Sequence, residues 1–212
     1  MKVVSVNVGL PREVEWKGMT VTTGIFKAPV TGEVAVRTLN LDGDRQADLT
    51  VHGGPDKAVY AYPAEHYELW RNEMPEMQFP FGAFGENLTV EGLTEETLHI
   101  GDQLGIGTAR FVVTQPRMPC FKLGIRFGNE EMIKRFLRAG RSGFYLAVLQ
   151  EGSVSVGSDI SILDRDENQV RISDIQRLYL HQETNRDVLD RAMRVAALPQ
   201  SWRKWFIEPV AL

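Results

Sequence analysis

The sequence predicts a mainly β domain over residues 1–164, closed into a barrel and interrupted by helices, with a small three-helix unit after it over residues 165–212. Three observations predict it. Between Lys2 and about Leu163 the chain consists of short, apolar, often β-branched runs punctuated by glycine, the pattern of antiparallel strands. So many strands in so short a span leave fewest unpaired edges when the sheet closes on itself. At Asp164-Arg165-Asp166-Glu167-Asn168 the chain turns polar, and the remaining residues have helical periodicity.

Residues 2–8 alternate and then meet Gly9 and Pro11, which reads as a strand and not as the unbroken apolar core of a signal peptide. Residues 57–62 form a second clear strand. Pro63 suits a first helical position, and Tyr67, Trp70 and Met74 recur at helical spacing behind it. Residues 79–87, rich in aromatics and glycine, predict an irregular loop of fixed shape. Glycine-led turns at Gly101-Asp102 and Gly157-Ser158 each open a strand, and residues 110–114, 144–149 and 160–163 are further strands. A second helix is expected from a cap at Asn129 through Met132, Ile133, Phe136 and Leu137 to a stop at Gly140. In the tail, one helix carries Ile172, Ile175, Leu178 and Tyr179, the next carries Val188, Leu189, Ala192 and Val195, and the third starts at Pro199 with Trp202, Trp205 and Phe206.

Composition narrows the function classes. At 212 residues and 43% hydrophobic, the chain can bury a sizeable core, and disorder is not expected. No run is long enough to span a bilayer, and a single cysteine without an export signal predicts a reducing, cytoplasmic setting. The net charge of −4, with both signs interspersed, provides no global basic field for nucleic acid. A three-helix unit can read DNA, but from Arg165 onward eight Lys or Arg oppose seven Asp or Glu, a net of +1 without a basic stripe. An interaction or docking role fits that tail better. Its aromatics Trp202, Trp205 and Phe206 either bury against a second copy, which predicts a homodimer, or close their own core.

Chemistry-bearing residues are few. Cys120, the only cysteine, ends Gln115-Pro116-Arg117-Met118-Pro119-Cys120, where two prolines hold the chain extended and present the thiol from a stiff strand or turn. It is either inert packing or a reactive sulfur, and Arg117, Lys122 and Arg126 lie close enough in sequence to favour the thiolate. His52-Gly53-Gly54 with Lys57 behind it offers close backbone approach and an ammonium to an anion, although a glycine pair before a proline is also an ordinary turn. Gly85-Glu86-Asn87 and Gly140-Arg141-Ser142-Gly143 are similar places, each equally explained by folding when taken alone. The four histidines lack metal-binding spacing, and no Walker loop, dinucleotide fingerprint or Gly-x-Ser-x-Gly elbow is present.

Taken together, Gly24-Ile25-Phe26-Lys27-Ala28-Pro29-Val30, Asp44-Arg45-Gln46-Ala47-Asp48 leading to His52-Gly53-Gly54, Gly85-Glu86-Asn87-Leu88-Thr89-Val90 and Pro116-Arg117-Met118-Pro119-Cys120 resemble the stand-alone bacterial branch of the MOSC family, named for the C-terminal domain of molybdenum cofactor sulfurase. The resemblance covers nearly the whole chain, because one branch of that family carries a three-helix tail. It implies a barrel that holds a pyranopterin molybdenum cofactor, with Cys120 as the protein ligand to the metal. It also implies reduction of N-hydroxylated bases, 6-hydroxylaminopurine above all, to the amine and water as a detoxification. A soft thiolate beside dithiolene sulfurs suits such a metal, and the cofactor stores two electrons that side chains cannot. On this reading Lys27, Lys57, Arg117 and Arg141 face the cofactor phosphate and pterin, and Gly53, Gly54 and Asn87 supply close backbone or amide contacts. Glu86, Pro119 and Gly143 complete that set, and His52 either donates a hydrogen bond or proton near the substrate or shapes its loop.

No flavin, haem or iron–sulfur motif is present, so the same reading requires a separate electron donor, a flavoprotein reductase, with the helical tail as one candidate dock. Two alternatives use the same cysteine: a sulfur carrier with a persulfide at Cys120, or a molybdenum cofactor carrier without turnover. The first lacks a partner cysteine and a pyridoxal-phosphate domain.

Overall fold

The computed structural model describes residues 1–48, 53–182 and 185–207. Its first strands are β1 (Lys2–Val8), the hairpin β2 (Arg12–Trp16) and β3 (Met19–Thr23), β4 (Ala28–Val30), β5 (Val34–Arg37) and β6 (Asn40–Leu41). A 3-10 turn at Pro55–Lys57 leads into β7 (Val59–Pro63), and α1 (Glu65–Glu73) then crosses over to β8 (Leu88–Glu91), which pairs with β7 in parallel. Next come β9 (Gln103–Ile106), β10 (Ala109–Pro116), α2 (Phe121–Phe127), α3 (Glu131–Ala139), β11 (Phe144–Gln150), β12 (Gly152–Val154) and β13 (Ile160–Asp164). The tail holds α4 (Ile172–Tyr179), α5 (Arg186–Arg194) and α6 (Gln200–Ile207).

Eight strands form one sheet in the order β13-β9-β10-β11-β7-β8-β1-β4. One end of it is stitched to the start of β1, the strand next to the other end: Val3 N donates to Ser158 O at 2.9 Å, Gly157 N to Val3 O at 2.8 Å and Ile160 N to Met1 O at 3.0 Å. An antiparallel bridge between Lys2 and Asp159 lies in the same seam. The sheet thus curls round until β13 meets β1, which satisfies edge groups that an open sheet would expose. Val3 and Val6 both face the barrel core although three residues apart, because a bulge between Val3 and Ser5 shifts the β1–β8 register.

Two cores result. One fills the barrel with residues such as Leu88, Leu104, Phe111 and Leu146 and runs without a break into the tail, through Ile172, Ile175, Val188, Ala192 and Trp202. The other is aromatic, with Tyr62, Tyr67, Trp70, Phe79, Phe84 and Phe136 packed between β7, α1, the 79–87 loop, α2 and α3. The tail is also joined by backbone, since Ile100 N donates to Val170 O at 2.8 Å and Ile172 N to Leu98 O at 3.1 Å. The change at Asp164 therefore separates strands from helices but not one core from another.

Two local expectations need correcting. Pro63 closes β7 instead of opening a helix; its helix starts at Glu65 behind Ala64. Cys120 is not on a strand: it stands at the extended N-cap position of α2 (φ −125°, ψ 178°), a helix that the sequence pattern hides. Gly124 depresses helix propensity there, but a Cβ at Gly124 would sit 3.3 Å from Glu130 Cα, so the glycine lets α2 and α3 approach closely. The second expected helix corresponds to α3, with Asn129 Oδ1 accepting from Glu131 N at 2.9 Å and Gly140 ending it in the left-handed region.

Candidate functional site

Strand β10 ends at Pro116, and residues 117–120 carry the chain across a cleft before α2 begins. Arg117, Met118, Cys120 and Lys122 form one wall of this cleft. Ile25, Lys27, Asp44 and Arg45 form a second, and Lys57, Tyr60, Asn87 and Tyr145 complete it. The cleft encloses about 650 Å³ of empty space, open solvent included. The Cys120 side chain is half-buried, so it is not sealed among aliphatic neighbours.

Charge is the cleft's dominant property. Among its described lining residues five are cationic, Lys27, Arg45, Lys57, Arg117 and Lys122, and one is a carboxylate, Asp44. Asp44 is already committed: it forms a short buried ion pair with Lys27 and accepts from Gly9 N at 3.0 Å and Asn87 Nδ2 at 2.9 Å. Burial depresses the Lys27 pKa, against the pull of Asp44. Burial likewise lowers that of Lys57, with Asp56 opposing. None of the ion pairs among the described residues involves Arg45, Arg117 or Lys122. A chain that is negative overall has gathered a surplus of cations around its one thiol, which suits an anionic ligand.

Arg117 is the most constrained of them. It is only 6% exposed, lies 5.1 Å over the Tyr60 ring and 5.2 Å over the Phe136 ring, and its Nη1 has no hydrogen-bond partner among the described residues. Burial alone would depress its guanidinium, but Tyr60, Tyr145 and Cys120 together hold its pKa above the ordinary value. Burial raises the Tyr145 phenol, while Arg117 opposes that through its charge and a hydrogen bond. The Tyr60 phenol, raised well above its usual range by burial, donates to Ser142 O at 2.7 Å. A buried, permanently charged donor without a full set of acceptors is costly unless a ligand completes it.

The residues singled out from the sequence separate into groups. Lys27, Lys57, Asn87, Arg117 and Cys120 line the cleft, although Asn87 is consumed by the fold: its Oδ1 accepts from Tyr60 N at 3.1 Å while its Nδ2 serves Asp44. Gly54, at φ +92°, accepts from Lys57 N at 3.1 Å and so sets that lysine's turn; it is not in the cleft wall, nor are Gly53 and Pro119. His52 lies outside the described residues.

Three others do not line the cleft. Arg141 reaches away to Glu73 Oε1 at 2.7 Å and stacks 5.1 Å over Trp70. Glu86 is fully buried behind the cleft, accepting from Tyr67, Gly82 N, Phe84 N and Thr89. Gly143 is packed against β7: at φ +62°, a Cβ there would come within 2.5 Å of Ala61 O. Gly143→Ala is accordingly expected to destabilise the protein by about 2 kcal/mol or more, a drop of about 4–8 °C in Tm readable by calorimetry.

Arg45, Tyr60, Lys122 and Tyr145 enter the cleft without having been assigned to it from the sequence. Tyr60 and Tyr145 are direct cross-strand partners of β7 and β11, a pairing no local pattern reveals. Lys122 carried a signal, its closeness to Cys120 in the chain.

Known proteins share this arrangement of parts. Residues 48–161 match the MOSC domain, and residues 172–206 match the YiiM-like 3-alpha helix domain. The chain belongs to the MOSC family. This MOSC protein is 44% identical over 206 residues to YflK of Bacillus subtilis, covering 97% of this chain and 93% of that one. The crystal structure of YiiM from Geobacillus stearothermophilus superposes with a TM-score of 0.82 at 36% identity, with 99% of each chain covered. A Gibberella moniliformis protein named as a reductase is 35% identical over 164 residues, which cover 76% of this chain and 29% of the fungal one. The family relation accounts for the barrel and helical tail together, since both parts match in order.

Proposed function

We propose that this MOSC protein is a molybdenum-cofactor-dependent reductase of N-hydroxylated bases, such as 6-hydroxylaminopurine, with Cys120 as the protein ligand to the metal. The observation that carries the reading is the half-buried Cys120 opening on a cleft lined, among its described residues, by five cations, Arg117 above all, and one carboxylate. Membership of the MOSC family and the likeness to a protein named as a reductase support it.

The residues fit the group. Its phosphate would meet Lys57 and Arg117, whose Nη1 has no hydrogen-bond partner among the described residues. Lys27 is a weaker candidate, because Asp44 already neutralises it. Among the described residues no three His, Cys, Asp or Glu converge as a metal-holding cluster, so a metal at Cys120 would take its other ligands from the bound group. When bound, that group supplies the two-electron chemistry. The overall conversion takes two electrons and two protons, cleaves the N–O bond, and gives the amine and water.

The chain's own part is to bind, orient and shield. Met118 and Ile25 provide the apolar portion of the cleft wall. Tyr145, held by Arg117, keeps its phenolic proton at neutral pH and places a donor beside Cys120. His52 keeps both of its expected roles in this proposal, a hydrogen-bond or proton donor near the substrate or a shaper of its loop. Electrons come from a separate flavoprotein reductase, and the compartment is the cytoplasm. No described helix is long and apolar enough to cross a membrane. A homodimer through the tail would use the parts of Trp205 and Phe206 left exposed after they pack on Tyr179 and Trp202, since Trp202 is buried in the chain's own core.

The test is elemental and pterin analysis of protein made in cells that synthesise the cofactor, and then anaerobic assay with 6-hydroxylaminopurine and a viologen reductant. Molybdenum with turnover is the expected result. Molybdenum without turnover would replace the reductase by a carrier, and protein free of both metal and pterin after anaerobic purification would overturn the reading.

A further inference from the structure

Behind the cleft, three of its walls are fastened at one partly buried point. The Asp56 carbonyl, next to Lys57, accepts from Thr114 Oγ1 at 2.7 Å and from Gln115 Nε2 at 3.3 Å. Thr114 Oγ1 also lies 3.1 Å from Tyr145 O. Gln115, 3% exposed and two residues before Arg117, then turns its Oε1 outward to accept from Trp202 Nε1 at 2.7 Å. Trp202 belongs to α6 and is itself clasped by Tyr179 of α4 and by Phe206. A hydrogen-bonded path thus runs from the helical tail through one glutamine to the segments that carry Lys57, Arg117 and Tyr145.

We propose that Gln115, locked by Trp202, is a positioning residue through which the helical tail sets the cations around Cys120. Both polar ends of the Gln115 amide are used, one on the tail and one on the turn, so losing either contact leaves one end of a buried amide unpaired. Leaving a buried amide half-satisfied is costly, which makes the two contacts form together. The tail on this account is a buttress of the cleft, and the inference holds whatever ligand the cleft takes. The charged and titratable groups it arranges are Arg117, Lys122, Arg45, Lys57, the Lys27–Asp44 pair, Tyr60 and Tyr145.

The single cysteine makes the test direct. Alkylation of Cys120 is measured at one pH with negatively charged iodoacetate and with neutral iodoacetamide, and the ratio of the two rate constants reports the local positive field. Trp202→Phe removes the indole N–H and keeps the ring packing; Gln115→Met removes both amide contacts at similar volume. In each variant the ratio is expected to fall by about threefold or more, and in the double variant to fall no further than in either single one. A merely structural role would lower Tm and leave the ratio untouched. An unchanged ratio, or effects that multiply in the double variant, would overturn the proposal.

A measurement on the unmutated chain gives a second decision should a variant fail to fold. Native-state hydrogen exchange is expected to show the Lys57 and Ala58 amides opening together with those of α6, with the same denaturant dependence. Separate opening of the turn and the tail would equally overturn it.

Discussion

Cys120→Ser protein made in cells that synthesise the cofactor is expected to retain at least about tenfold less molybdenum per chain than the wild type, and to lose reductase turnover in proportion. A hydroxyl is a hard, weakly acidic ligand where the proposal requires a soft thiolate, so the exchange attacks the metal bond and little else. Cys120 is half-buried and makes no disulfide, and its backbone conformation is extended, which serine adopts readily. Stability should therefore change by no more than about 0.5 kcal/mol. Metal analysis, viologen-driven turnover and Tm on the same preparations separate the outcomes: equal molybdenum in both proteins would remove Cys120 as anchor, and a large fall in Tm would mean that the thiol is packing.

Glu86→Ala is expected to be the most destabilising single change in the cleft's surroundings, at about 4 kcal/mol, or about 10 °C in Tm. The carboxylate is buried and gathers the 79–87 loop around itself: Gly82 N donates at 2.8 Å, Phe84 N at 3.1 Å, Thr89 Oγ1 at 3.0 Å, and the Tyr67 hydroxyl closes a short bond. Truncation leaves these donors unpaired in the aromatic core and opens a cavity beside them. Burial raises the Glu86 pKa above its ordinary 4.5, while the Tyr67, Gly82 and Thr89 bonds resist that rise. The folded state therefore favours the protonated acid, so this contribution is complete below about pH 4.5 and is lost as pH rises through the elevated folded value. Across that window the wild-type Tm should decline more than that of Glu86→Gln, which cannot ionise. Parallel pH profiles of the two proteins would show that the acid's titration is not coupled to folding.

Most of the fold was readable because its signals are local. The helix capped by Asn129 and stopped by Gly140, the alternating runs of β10 and β11, and the three periodic segments of the tail each announce themselves within about ten residues. Helix α2 was not, because Gly124 and the preceding Pro-Cys pair argue against it locally, and the reason for that glycine is a contact with Glu130. The site divides in the same way. Cys120, Arg117 and Lys57 stand out by residue type and neighbours. Arg141 and Gly143 stand in a similar glycine-rich turn, but the Trp70–Glu73 face and the backbone of β7 claim them, and sequence spacing is blind to which way a connecting segment turns its residues. Tyr60 and Tyr145 were hidden for the opposite reason: within their strands they read as ordinary core aromatics, and only the β7–β11 register aligns them beneath Arg117.

The seam that joins Met1 and Val3 to residues 157–160 has a consequence for biosynthesis. On the ribosome the first strand emerges long before its closing partner exists, so one flank of β1 must stay unzipped while about 150 further residues are translated. Non-local closure of this kind is slow once the chain is released, and until then the naked flank is a sticky template for neighbouring nascent chains. Overproduction at high temperature should accordingly favour inclusion bodies, and slower translation or an abundant holdase should recover the closed barrel.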